Sequence, residues 1–309
     1  MSSVDTVGLV GIGNMGSAMG KSLLDEGFDV VGFDVRPERQ SLLQAAGGRS
    51  AASPADVLRH ADRVVLSLPG SSALTQVVGG ESGLLEHARS GVVLAETSTL
   101  ALEDKLRASE QLADAGMTLL DCPISGTGAQ ARARDIVFYA SGPQWAFQRF
   151  EPVLLAMGRA APWVGDFGAG SKMKFVSNLL VAVHTLAAAE ALNLASHSGL
   201  DPATTHELLV AGAGTSRMLE VRGPMMVAGD FPGDSATVRV LGKDVELIRD
   251  FADGSDVPTP LLSMVSSFFT LARDQGLADA DPAALAAVLS SLSPQRSDEQ
   301  ASTPDEGAQ

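Results

Sequence analysis

Residues 8–20 read GLVGIGNMGSAMG, with Gly11, Gly13 and Gly16 directly behind the apolar run Val7–Val10. Each glycine answers a demand of a phosphate-holding loop. Gly11 permits a tight turn, Gly13 lets the backbone approach a pyrophosphate, and Gly16 lets the next helix close on the strand. The N–H groups and dipole of that helix start attract anionic oxygens. A second strand runs into Asp34, where a carboxylate would accept hydrogen bonds from a ribose diol. Strand, loop, helix, strand and acid in that order point to a dinucleotide, held by Gly11, Ile12, Gly13, Asn14, Met15, Gly16 and Asp34. A carboxylate at the ribose repels a 2′-phosphate, so NAD is expected in preference to NADP. Arg36 works against this, because it could reach such a phosphate.

Three other groups could do chemistry. Lys174 and Asn178 stand four residues apart and so share one helix face, whereas Lys172 lies on another. An ammonium beside a carbinol oxygen can take its proton during oxidation and return one during reduction, best when burial lowers its pKa. On spacing alone, a solvated helix charge is the commoner state of such a lysine. The loop Ile124–Gly128 follows Pro123 at the end of a strand. Ser125 Oγ with the N–H groups of Gly126 and Thr127 could cradle a carboxylate, or could form a plain polar turn. Lys243 opens a helix and is as readily an exposed charge as a functional one. No metal site is expected: Cys122 is the single cysteine, and the five histidines are scattered without ligand spacing.

The elements that must position these groups fall into two halves. In the first, the runs Thr6–Val10, Asp29–Asp34, Arg63–Pro69, Gly91–Glu96, Met117–Pro123 and Asp135–Ser141 read as strands. Helical stretches lie between them at Pro37–Ala46, Pro54–His60 and Leu102–Ala115. That alternation predicts an α/β fold with a doubly wound parallel Rossmann sheet. Beyond residue 165 strand signals fade. Lys172–Ser198 reads as one long interdomain helix ending at Gly199, and Asp281–Leu292 opens on a good capping pair. The expected division is a nucleotide-binding domain over 1–165, an all-α substrate and oligomerisation domain over 166–292, and a disordered acidic tail over 293–309.

Composition narrows the class. The chain has 309 residues and a formal net charge of -15, which opposes nucleic acid or an anionic membrane as partner. The apolar stretch Val176–Ala195 contains Asn178, His184, Glu190 and Asn193, which fits a buried helix better than a membrane span. No signal-peptide pattern opens the sequence, so a cytoplasmic protein is expected.

With Met15 and Met19 behind its glycines, the first loop resembles that of the β-hydroxyacid dehydrogenases, the family of 3-hydroxyisobutyrate, tartronate semialdehyde and L-threonate dehydrogenases. Four further segments carry the resemblance: ETSTL at 96–100, DCPISGTGAQA at 121–131, GAGSKMKFVSN at 168–178 and GKDVELI at 242–248. It extends over about residues 5–292. The resemblance implies hydride transfer between NAD and a small carboxylate-bearing 3-hydroxy acid, with Lys174 as general acid/base. Asn178 would hold the amine or the hydroxyl, and Ser125, Gly126 and Thr127 the carboxylate. Leu68, Pro69 and Thr99 would line the nicotinamide ribose, and Lys243 would close over the site. Two departures stand out. Thr127 and Arg134 replace family glycines, which is expected to narrow the pocket and add a hydroxyl. A homodimer or homotetramer is expected through the apolar face of the long helix. The alternatives are an imine reductase, which usually carries Asp or Tyr at the lysine position, and a catalytically silent dinucleotide-binding relative.

Overall fold

The computed structural model describes residues 5–233 and 236–293, so the expected tail lies outside the described residues except for Ser293. The first half runs β1 (Thr6–Val10), α1 (Asn14–Asp25), β2 (Asp29–Phe33), α2 (Pro37–Ala45), β3 (Arg49–Ser50), α3 (Pro54–Leu58), β4 (Arg63–Leu66), α4 (Ser71–Gly79), β5 (Val93–Glu96), α5 (Leu102–Asp114) and β6 (Thr118–Asp121). These strands form one six-stranded sheet in the order β3-β2-β1-β4-β5-β6. Every pairing in it is parallel. Residues along each strand alternate between two apolar cores. Val7, Leu9, Val65 and Val93 face α1 on one side, while Val10, Val64, Leu66 and Leu94 face the opposite core with Val57 and Leu112. A sheet covered on both faces explains why these strands read as unbroken apolar runs. The strand order reverses between β1 and β4, which opens a crevice at their carboxyl ends where ligands of such sheets bind.

Two strand expectations need correction. The run Asp135–Ser141 does not join the parallel sheet. Its core, β8 (Val137–Phe138), pairs antiparallel with β7 (Ile124–Ser125). The eleven residues between them hold only the short helix α6 (Gly128–Arg132), and a parallel return needs a crossover of a dozen residues or more. The sixth strand of the sheet is instead β3, two exposed residues with no apolar pattern to announce them. Helix α7 (Gln144–Met157) then covers the sheet and buries Phe150, Val153 and Leu154. Cys122, just after β6, is fully buried in the same core.

The second half is helical: α8 (Ala169–His197), α9 (Pro202–Ala211), α10 (Arg217–Ala228), α11 (Val238–Asp253), α12 (Pro260–Asp274) and α13 (Leu285–Leu292). Helix α8 has the length and apolarity of a membrane span, yet the other helices pack around it. Phe175, Ala182, Leu186, Ala189 and Leu192 enter a core shared with Leu219, Val245, Ile248 and Phe269. Its end is closed as the sequence suggests. Gly199 takes a φ of +82°, and Leu200 N–H donates back to Ala195 O at 3.0 Å. The segment Asp281–Leu292, expected as one helix, begins instead with a 3-10 turn at Pro282–Ala284 capped by Asp281. Asp281 also binds the buried Arg222, whose Nε donates to its Oδ1 at 2.9 Å.

Candidate active site

The glycine loop lies at the sheet's reversal point, and its glycines differ in what surrounds them. A Cβ on Gly11 would fall 2.1 Å from Ser67 O, and one on Gly16 would fall 2.0 Å from Gly11 O. Neither position admits a side chain. Gly13 caps α1 without a side-chain hydrogen bond, and a Cβ there would meet nothing within 4 Å. This open cradle before a helix start fits a pyrophosphate. Asp34 is 7% exposed and already ties the loop to β2. Its Oδ2 accepts Ile12 N–H at 2.7 Å, and its Oδ1 accepts Arg36 N–H at 3.0 Å and Arg36 Nε at 3.4 Å. The side chain of Ile12 is buried and that of Met15 half-buried against the core, while Asn14 is exposed. Leu68, after β4, donates its N–H to Ser98 Oγ at 2.7 Å, and Pro69 beside it is exposed.

Helix α8 is driven hard against this half. Gly168, its N-cap, has a φ of +94°. A Cβ on Gly170 would lie 2.3 Å from Tyr139 O and 2.7 Å from Asp121 O. The glycines of the segment before Lys174 are therefore packing devices that bring the helix start onto the end of β6. One turn farther, Lys174 is 8% exposed, whereas Lys172 is exposed. Burial lowers the Lys174 pKa to about 8; Asp244 holds it up and Lys243 pushes it down. Asp244 is buried beneath it, and burial raises its carboxyl above the usual range while Lys243 and Lys174 pull it back. Asn178 Nδ2 donates to Asp244 Oδ2 at 2.8 Å. Lys243 pairs with Asp244 at 3.1 Å and donates to Thr99 O at 2.6 Å, which joins α11 to the loop after β5.

Lys174, Asn178, Lys243 and Thr99 thus meet around Asp244, a residue that sequence reasoning passed over. Its only signal was its place beside Lys243. The amide of Asn178 is held by that carboxylate through its Nδ2, which fixes the side chain beside the lysine's helix face. Lysine, amide and buried acid make a site able to exchange a proton with a substrate oxygen.

The expected carboxylate loop is partly redirected. Ser125 ends β7, which packs on α8, and is half-buried. Gly126 has a φ of +141°, and a Cβ there would meet Ile136 Cγ2 at 2.6 Å. The Thr127 N–H is not free for a ligand. It donates to Gln130 Oε1 at 3.0 Å, while Thr127 Oγ1 accepts Gln130 N–H at 3.3 Å, a capping box that starts α6. Arg134 does not narrow the pocket either. It pairs with Glu26 at the C-terminal end of α1, roughly 18 Å along that helix from the glycine loop. Its φ of +58° explains why a glycine is at home there. Gly128 brings this loop to the nucleotide loop, since a Cβ on it would lie 3.8 Å from Asn14 Nδ2. Among the described residues, no three or more His, Cys, Asp or Glu side chains cluster to hold a metal.

Comparison with known proteins agrees with this geometry. Residues 6–165 match the NAD binding domain of 6-phosphogluconate dehydrogenase, and residues 168–289 match the NAD-binding region of NADP-dependent 3-hydroxyisobutyrate dehydrogenase. The L-threonate dehydrogenase of Haemophilus influenzae is 32% identical over 93% of this chain and 96% of its own length. The 3-hydroxyisobutyrate dehydrogenase of Salmonella typhimurium superposes with a TM-score of 0.83 at 31% identity, covering 92% of this chain and 99% of that one. The Mycobacterium tuberculosis 3-hydroxyisobutyrate dehydrogenase, solved with L-serine, gives 0.84 at 27% identity over 93% of this chain and 99% of its own. A Streptomyces aurantiacus imine reductase shares the fold alone, at 23% identity and a TM-score of 0.62 over 92% of this chain and 99% of its own.

Proposed function

This chain belongs to the β-hydroxyacid dehydrogenase family, and from that premise we infer an NAD-dependent oxidation of a small 3-hydroxy acid to a semialdehyde or 3-keto acid. The observation that carries the reading is Lys174, buried, with its pKa lowered to about 8 and subject to the charges of Asp244 and Lys243. When bound, the nicotinamide supplies the hydride acceptor. Everything else falls to the protein. Ser125 and the Gly126 N–H orient the substrate carboxylate. Lys174 takes the hydroxyl proton as the carbinol is oxidised and returns it in the reverse direction. Asp244 steadies the ammonium that results and fixes Asn178. Lys243, by reaching Thr99 O, keeps water out between the two halves. Residues 1–165 then act as the nucleotide domain and 166–292 as the domain that brings the lysine, in the cytoplasm.

A panel of 3-hydroxy acids, threonate and 3-hydroxyisobutyrate among them, assayed by NAD reduction tests the reaction class. Turnover of none would refute it in favour of a silent dinucleotide-binding protein. Reduction of cyclic imines in preference to semialdehydes would favour the imine reductase alternative. The same assay reads cofactor choice. With both Asp34 oxygens at the end of β2, kcat/KM with NAD is expected to exceed that with NADP by at least roughly tenfold, or about 1.4 kcal/mol. Equal use of NADP would mean that Arg36 governs the site.

Self-association follows from one surface. Met173, Val176, Leu180 and Leu194 are 41%, 58%, 48% and 68% exposed on α8. We read this stripe as the contact of a homodimer or homotetramer, since apolar area of this kind is costly in water. Light scattering at micromolar concentration is expected to give a multiple of the chain mass, reduced by Val176→Glu with Leu180→Glu. A monomeric wild type would contradict it.

A further inference from the structure

Among the largest fully buried side chains of the described residues, one is charged. Lys105 on α5 has no solvent exposure, and neither do its partners Glu96 and Asp121. Its Nζ lies 2.6 Å from Glu96 Oε2 and 2.8 Å from Asp121 Oδ1, and it donates to Ser98 O at 2.6 Å. Burial alone would strip the proton from such an amine, but the two carboxylates overrule it and hold the pKa above its ordinary value. The acids face each other because Glu96 and Asp121 are register partners at the ends of β5 and β6.

Each acid does something beyond neutralising the lysine. Glu96 Oε1 accepts Ser98 N–H at 3.0 Å, and Ser98 Oγ in turn accepts Leu68 N–H at 2.7 Å. That arm shapes the strand ends whose next residue, Thr99, receives Lys243. Asp121 caps α8 from outside it. Its Oδ2 accepts Ser171 N–H at 2.7 Å and its Oδ1 accepts Ser171 Oγ at 2.9 Å. Ser141 Oγ bridges the same corner, donating to Asp121 O at 3.0 Å and accepting Gly170 N–H at 2.9 Å. Ser171 lies three residues before Lys174. A single ammonium therefore ties the loop on the cofactor side to the helix start on the proton-transfer side.

We propose that Lys105 is a positioning residue: it sets the spacing between the Ser98–Thr99 loop and the α8 turn that carries Lys174, and so the distance over which hydride and proton transfer must be matched. A buried ion pair is poor evidence of added stability, because apolar residues of equal volume often do as well. Its value here is geometric. The inference rests on the reading of Lys174 as acid/base only for its kinetic consequence; the geometric tie stands apart from that reading.

Lys105→Met alone would leave two buried carboxylates unpaired and could fail to fold. Lys105→Met with Glu96→Gln keeps the local charge unchanged and leaves Asp121 to cap α8. Three measurements on the full chain are compared with wild type: melting temperature, hydrogen exchange by segment, and kcat with its pH profile. We expect near-wild-type melting, faster exchange at both 97–100 and 169–172, and kcat lower by roughly ten- to a hundredfold. The pH profile should keep its shape, since the charges around Lys174 are untouched. The second buried pair serves as comparison. Arg222→Met with Asp281→Asn should lower the melting temperature and leave kcat in place. Exchange that rises in one segment only, or in neither, overturns the proposal, and does so even if no hydroxy acid is ever turned over. Unchanged kcat in an active enzyme overturns it too. If the wild type lacks turnover altogether, the function reading fails while the exchange result still decides the tie.

Discussion

Lys174→Met should abolish proton transfer while leaving the protein folded and able to bind its dinucleotide. Methionine keeps the side chain's length and its helix propensity and removes only the ammonium. The glycine loop proposed to hold the cofactor lies on the other half of the molecule, so NAD affinity should persist. General acid/base catalysis contributes about 10²–10⁴-fold, so kcat should fall by at least a hundredfold. The wild-type pH profile should carry the same group. Oxidation needs the neutral amine, so its rate should climb with pH through about 8 and level off above it. Reduction needs the ammonium and should decline over the same interval. Both limbs should vanish in the variant. Lys172→Met, on an exposed face two residues away, should behave as wild type. Near-wild-type turnover by Lys174→Met, or a dead Lys172→Met, would remove the lysine from the mechanism. Loss of NAD binding together with activity would give it a structural role instead.

The glycine loop offers a paired test with opposite outcomes. Gly16→Ala places a methyl group 2.0 Å from a backbone oxygen that cannot step aside. Overpacking of this kind costs about 1–3 kcal/mol or more, so melting should fall by several degrees. Gly13→Ala meets open space, at a backbone φ of -71° that alanine adopts freely. Its stability loss should stay within about 1 kcal/mol, the scale of a helix cap. Yet the methyl group would stand where the pyrophosphate must approach, so NAD affinity should drop at least roughly tenfold, about 1.4 kcal/mol. Titration calorimetry and thermal melts separate the two effects. Undiminished NAD binding by Gly13→Ala would show that the open cradle is not the phosphate seat.

Sequence legibility followed sequence distance. The nucleotide loop, Asp34 and the shared face of Lys174 and Asn178 were readable because each is a local spacing along a strand or helix. The assignment of Lys174 as acid/base rests on resemblance, for nothing in its sequence neighbours says that it is buried. Asp244 stands in the GKDVELI segment beside Lys243, but its role was not readable, because its partner Asn178 lies 66 positions away. Lys105 looks like any charge on an amphipathic helix until β5 and β6 bring Glu96 and Asp121 under it. Thr127 carries a second signal that the sequence reading did not use: the Thr127–Gln130 spacing is that of a capping box, which engages the Thr127 N–H and one lone pair of its hydroxyl. β3 was lost because two exposed residues carry no period.

Cys122 gives the molecule a built-in reporter of its own opening. As the single thiol in the chain, with no solvent exposure and a pKa raised by burial, it is silent to any water-borne alkylating reagent while the sheet is closed. Labelling can proceed only from conformations in which the ends of β5 and β6 have come apart, where the thiol ionises normally. The rate at which one label per chain is gained therefore times excursions of the nucleotide half, without an engineered probe. A dinucleotide that binds only the closed state lengthens that time by a factor of one plus the ratio of its free concentration to Kd, so affinity becomes readable by mass spectrometry with no substrate and no turnover.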